Sequence, residues 1–579
     1  MKDPDSVEFF RRPLKPKHKQ YEALRAYYLE DLSQQEAAER AGYSLYTFQA
    51  LTSRFQRGEI DFFPEPTPGP GRRRVPDLVQ ERMVSLREAE LSIYDIKEVL
   101  EEEGFETSLQ TINRILTNAG FSKLPRRTKK EMGLTDKGTL VPPASAGLDF
   151  DDLSEHSFEC QVGGVFYFIP YIIETGLHEL LLDTPFPESG RLSKTNSVLS
   201  MLALKLMGHE RLSRVTNYGL DTGLGFFAGL NVPPKTTATS TYSYRVDKDA
   251  VDAFLERFVA GMAGRYPQYY QGETINLDFH SIPHYGEMSM MDDNWVGSKH
   301  QRLKSALTLF AQDGESRMLL YEDADIRSEE ASGAVMGFVD RWLRVRGIID
   351  QTLVFDSKLT TYERLEELDS MGVRFITLRR RGKNLIEDAE ELPEEAWKRV
   401  DLKKAKRKHN RFNIAESVIT LPRTHLRVRQ LIFEGHGREQ PTFLITNNFD
   451  IPMETLALHY SNRWLIENKF SELVDFFKLN ALSSPLMVRI YFDVALTVVA
   501  DTLYKLMARD LRRFEDCTPK TLFGDFINCG CRGEVVGNEV IIRMKKKATT
   551  PVLKSMDRFR RSWPVPWWGG KEVRYEWVA

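Results

Sequence analysis

The chain has 579 residues, 41% hydrophobic and 28% charged, with a formal net charge of −3. That length calls for several domains rather than one core, and the balanced charge argues neither for nor against a polyanionic partner, since phosphate binding depends on local clusters. Four cysteines (Cys160, Cys517, Cys529, Cys531) are too few for a disulfide framework, and Cys-Gly-Cys has no partner cluster for zinc.

The N-terminal "MKDPDSVEFFRR" carries early acids and no apolar core of a secretory signal. The most apolar helical run, 487–507, is interrupted by Arg489, Asp493 and Asp501, which makes it a core helix and not a membrane span. A cytoplasmic protein, at the nucleoid of a prokaryote and without a membrane partner, is expected.

Residues 1–62 read as a helix-turn-helix module. "KHKQYEALRAYYL" forms one helix, Ser33 caps the next, Gly42 turns the chain, and Ser44 caps "LYTFQALTSRF". A linker over 63–76 is rich in Pro and Gly, and its Arg72, Arg73 and Arg74 suit a phosphate backbone or a solvated linker alike. Residues 77–130 repeat the grammar: Ser92 caps a helix, Gly104 turns, Ser108 caps another. Two helix-turn-helix units joined by a basic linker resemble paired-type DNA-binding regions, including the N-terminal parts of many transposases.

Residues 131–270 are helical in pattern and carry little chemical signal. From 271 to 379 the texture turns to strands alternating with helices, an α/β order. Asp278 follows "TINL" and Asp356 follows "TLVF". An acid inside or at the end of an apolar strand is costly unless it is paired or binds a metal. Residues 380–448 hold first "WKRVDLKKAKRKHNR", the most basic block, then alternating β-runs. Lys403, Lys404, Lys406 and Arg407 in that block are candidate DNA-backbone contacts.

In 449–510 the stretch "ALHYSNRWLIENKFSELVDFFK" places Tyr460, Arg463 and Glu467 on one face of a predicted helix, beside an apolar stripe of Ile466, Phe470, Leu473 and Phe477. Alone, the Arg–Glu pair reads as a solvated ion pair worth a few tenths of a kcal/mol. Joined to Asp278 and Asp356, Glu467 completes a set of three carboxylates suited to a pair of Mg²⁺ (or Mn²⁺) ions, hard cations that take oxygen ligands. Two such ions can clamp the attacking and leaving oxygens of a phosphoryl transfer, which requires the carboxylates to converge to roughly 4–8 Å. His280 and His284 flank the first acid as supporting or purely structural groups. Residues 511–579 read as a small helix and a hairpin, then a Trp-rich tail that packs on the catalytic domain or on a partner.

"YSNRWLIENKF" resembles the signature of DDE insertion-sequence transposases of the Tyr-x2-Arg-x3-Glu-x6-Lys subgroup. Tyr460, Arg463 and Glu467 match; Val474 stands at the Lys position, and Lys478, three turns from Glu467 on a continuous helix, is the candidate replacement. The resemblance implies an RNase H-like catalytic domain with a β-rich insertion behind the all-α N-terminal modules. It implies catalysis by Asp278, Asp356 and Glu467, phosphate contacts by Tyr460 and Arg463, and stacking of Trp397 on an extruded base. It also implies terminal-repeat and target DNA as partners, and a homodimer in a synaptic complex. Another RNase H-like nuclease or resolvase, or a non-catalytic DNA-binding regulator derived from a transposase, stays open at this stage.

Overall fold

The computed structural model describes residues 15–63, 75–88, 91–121, 143–209, 212–285, 291–402, 411–437, 439–481 and 487–578. Arg72, Arg73, Arg74, Lys403, Lys404, Lys406 and Arg407 lie outside them. The chain divides into two compact units, Met1–Thr139 and Leu140–Ala579.

Among the described residues, the first unit holds two groups of three helices. Helices α1 (Pro16–Leu29), α2 (Gln34–Arg40) and α3 (Leu45–Gln56) close on Leu24, Ala37, Ala38, Phe48 and Leu51. Small alanines on α2 let its neighbours approach. Ser33 and Glu36 form a reciprocal capping box, Ser44 accepts from the Thr47 N–H, and Gly42 takes a left-handed φ of 62° between the two caps. Helices α4 (Asp77–Glu88), α5 (Ile93–Glu102) and α6 (Leu109–Asn118) repeat the design. Ser92 and Asp95 form the box, Gly104 turns at φ 85°, Ser108 caps α6, and Met83, Ile96, Leu100 and Ile112 are buried.

The second unit is built on a ten-stranded sheet. Strand β2 (Thr274–Pro283) pairs antiparallel with β4 (Gln301–Asp313), which also pairs antiparallel with β3 (Asp293–Val296) and β5 (Leu319–Ile326). On its other side β2 runs parallel to β6 (Thr352–Phe355), and β6 runs parallel to β7 (Phe375–Leu378). Helices α9 (Ala334–Arg346) and α10 (Tyr362–Ser370) connect the parallel strands, numbered after α7 (Lys194–Leu206) and α8 (Lys248–Arg265) of the preceding helical region. An antiparallel half followed by two parallel β-α returns is the RNase H-like order. "TINL" and "TLVF" are buried on both faces, as parallel strands under two helical layers must be.

The insertion extends this same sheet. Strands β8 (Trp397–Asp401), β9 (Arg411–Thr420), β10 (Arg427–Glu434) and β11 (Thr442–Thr446) continue it beyond β7 in the order β7-β11-β10-β9-β8. Helix α11 (Met453–Asn462) covers its inner face through Met453, Leu456 and Ala457.

Residues 131–270 and 511–579, read separately in the sequence, share a second sheet. Strand β1 (Glu155–Cys160) pairs with β12 (Cys531–Val536), followed in order by β13 (Glu539–Lys545), β15 (Glu572–Val578) and β14 (Trp563–Pro564). The Trp-rich tail therefore packs within its own chain. Indole N–H groups of Trp567 and Trp568 donate to the Phe227 and Phe226 carbonyls at 2.8 and 2.9 Å. Among the described residues no single helix is long and apolar enough to cross a membrane.

Candidate active site

Strand register sets the first two acids. Leu277 of β2 stands opposite Phe355 of β6 in parallel register, so the next residues, Asp278 and Asp356, leave adjacent strands side by side. Asp356 caps a short turn, accepting from the Ser357 hydroxyl at 3.2 Å and the Lys358 N–H at 3.4 Å.

Glu467 arrives on helix α12 (Trp464–Asp475). Ile466, Phe470 and Leu473 bury its inner side; Phe470 packs on Phe310 of β4 and on His280 of β2, with centroids 5.4 and 5.0 Å apart. His280 also bonds Asn480, past the end of α12, at 2.7 Å. Burial lowers the His280 pKa, so it acts as a neutral strut between β2 and the helix. The described carboxylates line one cleft of about 620 Å³ together with Trp295, Arg302, Lys358 and Arg380.

The predicted continuous helix over 457–478 is corrected. Helix α11 ends at Asn462 and α12 begins at Trp464, with Arg463 at the joint. The turn is tight there: Arg463 N–H bonds the Tyr460 carbonyl, and Ile466 N–H bonds the Arg463 carbonyl, both three residues back at 3.1 Å. Arg463 thereby reaches two acids at once, Asp278 Oδ2 at 2.5 Å and Glu467 Oε1 at 3.1 Å. The Tyr460 ring centroid lies 5.9 Å from its guanidinium carbon, and Tyr460 itself packs against the core of the insertion.

Lys478 is corrected too. Helix α12 stops at Asp475, and Lys478 takes a left-handed φ of 57° beyond it, its ammonium on the Asp475 carbonyl at 2.5 Å. The three-turn argument that returned it to the Glu467 face has no helix to act on. Trp397 is half-buried, paired in register with Ala415 and packed in a small core with Leu385, Ile386 and Leu392; it is not among the residues lining the cleft.

The expected convergence of three ligands is also revised. Among the described residues no three His, Cys, Asp or Glu side chains stand close enough to hold one metal ion. A guanidinium occupies the space between Asp278 and Glu467 instead. The donor set nonetheless suits a hard divalent cation, because all three groups are carboxylates facing one cleft. Burial pushes the Asp278 carboxyl up to about 6; Arg463 draws it down, while Glu467 and Asp356 push it up. That mutual repulsion is what a bound cation would relieve. Arg463 is pushed above the ordinary arginine value: burial opposes its charge, but Asp278, Tyr460, Glu467 and Asp356 together outweigh it.

Sequence reasoning missed four cleft residues. Trp295 is 53% exposed on β3, and Arg302 faces it across the β3–β4 register. Lys358, two residues past Asp356, and Arg380, in the basic run after β7, had visible signals: a cation next to a strand-end acid and a cluster of three arginines.

Residues 327–499 match the family described as transposase DDE domain. That span includes Asp356, Tyr460, Arg463 and Glu467 and begins after Asp278. No curated protein matches the chain. Among solved structures, a piggyBac transposase synaptic complex with hairpin DNA aligns at 11% identity over 64% of this chain and 81% of that one, with a TM-score of 0.34. A Mos1 transposase paired-end complex with left transposon end aligns at 10% identity over 62% and 77%, with a TM-score of 0.13. Scores this low carry no structural argument. The family match does: residues 327–499 are similar to a transposase DDE domain, which supports a DNA transposase function.

Proposed function

We propose that the chain is a DDE transposase that binds the terminal repeats of its element through the two N-terminal three-helix modules, then cuts at the ends and joins them to target DNA at Asp278, Asp356 and Glu467. The observation that carries the reading is the single cleft lined by all three acids. Two bound Mg²⁺ (or Mn²⁺) ions would supply activation of the attacking oxygen and stabilisation of the leaving one. The chain's own residues do the rest. Asp278 and Asp356, fixed side by side by strand register, and Glu467, brought up by α12, would hold the ions. Arg463 offers a planar fork for a strand phosphate beside them, with Tyr460 as a further phosphate contact. Lys358, Arg302 and Arg380 line the approach as positive charge for the backbone.

In the N-terminal modules, the third helices carry the polar faces that suit a major groove. Tyr46, Gln49 and Ser53 are exposed along one side of α3, and Gln110, Asn113, Arg114 and Thr117 along one side of α6. Arg72, Arg73 and Arg74 of the linker, and Lys403, Lys404, Lys406 and Arg407 of the insertion, would add backbone contacts. Trp397 is a weaker base-stacking candidate than the exposed Trp295. Two copies on two ends would form the synaptic complex.

The test uses a plasmid carrying the coding segment with its flanking DNA, purified protein and Mg²⁺. Cleaved ends with free 3′-hydroxyls should be joined to a second DNA. Cleavage without joining would make the protein a nuclease or resolvase instead.

A further inference from the structure

Arg463 stands where an ion would stand. Its two terminal nitrogens bridge Asp278 Oδ2 and Glu467 Oε1 at 2.5 and 3.1 Å, and its side chain is only 15% exposed. Magnesium sits about 2.1 Å from its oxygens. An ion drawing on these two oxygens would therefore lie in contact with the guanidinium, cation against cation, in a site largely shielded from water. The guanidinium and an ion bridging both acids therefore compete for these oxygens.

We propose that Arg463 is the internal counter-ion of the DNA-free site, holding Asp278 and Glu467 together and suppressing ion affinity until a DNA phosphate draws the guanidinium away. The proposal rests on the reading of Asp278 and Glu467 as ion ligands. Three features support it. The helix joint at Arg463 directs one side chain to both acids, which a residue inside a continuous helix would not need. Glu467 is 56% exposed, so it can turn toward an ion once released, whereas Asp278, at 18%, is fixed by the Phe279 N–H at 2.9 Å. Finally, a guanidinium fork fits a phosphate as well as it fits carboxylates, so DNA can compete for it. Ion and DNA binding are then coupled: each displaces the same contact, so each favours the other.

The test is Mn²⁺ binding to the full-length protein without DNA, read by electron paramagnetic resonance. Arg463→Gln removes the charge and should bind Mn²⁺ about tenfold more tightly than the parent, within the usual size of a coupling between sites. Equal or weaker affinity in the variant, or no measurable binding to either protein, overturns the proposal. Should that variant not fold, Arg463→Met, which also removes the charge, takes its place under the same criterion. Asp278→Asn separates the two readings. It should abolish Mn²⁺ binding, leaving the full signal of the free ion; if binding persists unchanged, the ligand assignment itself fails, whatever Arg463 does.

Discussion

Lys469 on α12 and Asp501 on α13 (Met487–Asp510) form an ion pair closed off from water. The ammonium lies 3.0 and 3.3 Å from the two Asp501 oxygens and 2.8 Å from Glu472, and Lys469 and Asp501 are 2% and 0% exposed. Burial works against the Lys469 charge, but Asp501 and Glu472 outweigh it and raise its pKa. The pair fixes the helix that carries Glu467, two residues earlier, to the long core helix behind it. Lys469→Met should cost about 3–5 kcal/mol, because it strands a buried aspartate. The double change Lys469→Met with Asp501→Leu should recover most of that loss, since the stranded aspartate is gone and Glu472 keeps Lys505 at 3.9 Å. Urea unfolding of the three proteins checks both statements.

Lys505 sits in the same network but on its losing side. Burial first, then the neighbouring Lys469, lowers its pKa to about 8, with Glu472 at 3.9 Å only partly compensating. The folded value lies below the unfolded one near 10.5. Between those limits the unfolded chain binds more protons, so this group's contribution to stability rises with pH. Below about pH 8 its destabilising effect is fully present, of order 3 kcal/mol at about 1.4 kcal/mol per pH unit. Lys505→Met should therefore stabilise the protein at pH 7, by about 1–3 kcal/mol. The advantage should shrink as pH rises from 8 toward 10.5. Denaturation of both proteins at pH 7, 8.5 and 10 would show it, and an advantage that grows with pH would refute the sign.

The second module's capping box gives a local test. Ser92 accepts from the Asp95 N–H while the Asp95 side chain accepts from the Ser92 N–H at 2.9 Å. Ser92→Ala should cost about 1 kcal/mol. Hydrogen exchange over Ile93–Glu102 in the full chain should quicken about fivefold by that energy, with exchange in β2 unchanged.

Trp568 joins the tail to the helical region. It is fully buried, its N–H bonds Phe226, and its ring lies 4.8 Å from the Phe226 ring. Trp568→Ala should cost about 3–5 kcal/mol, whereas Trp568→Phe keeps the packing and loses chiefly the hydrogen bond, about 1–3 kcal/mol. Thermal unfolding of the two variants should preserve that order.

The legible parts of the sequence were those fixed by local chemistry. Ser33, Ser44, Ser92 and Ser108 announced helix starts, and Gly42 and Gly104 announced turns, because caps and left-handed residues are set within one turn of chain. Asp278 and Asp356 stood out because an acid ending an apolar strand is an energetic anomaly. Long-range pairing was not legible. Nothing in "EHSFEC" says that it will lie beside "CRGEVV" from the far end of the chain. The helix joint at Arg463 was hidden as well: "YSNRWLIEN" contains no Pro or Gly to break it, and the bend is tied to contacts of Arg463 with β2 that periodicity cannot see. Lys478 was misjudged for the same reason, since the helix was assumed to run past Asp475. Trp295 was missed because an exposed aromatic on an edge strand has no sequence mark of its own.

The most direct measurement is strand transfer by Asp278→Asn, Asp356→Asn and Glu467→Gln, each assayed beside the parent on DNA bearing the element ends. Each change removes one charge and keeps its shape. The account predicts that all three variants still bind the ends, and that each loses cleavage and joining by a factor of about 10³ or more, the scale of lost transition-state charge stabilisation. A variant that joins DNA at the parental rate would contradict it by removing that acid from the site.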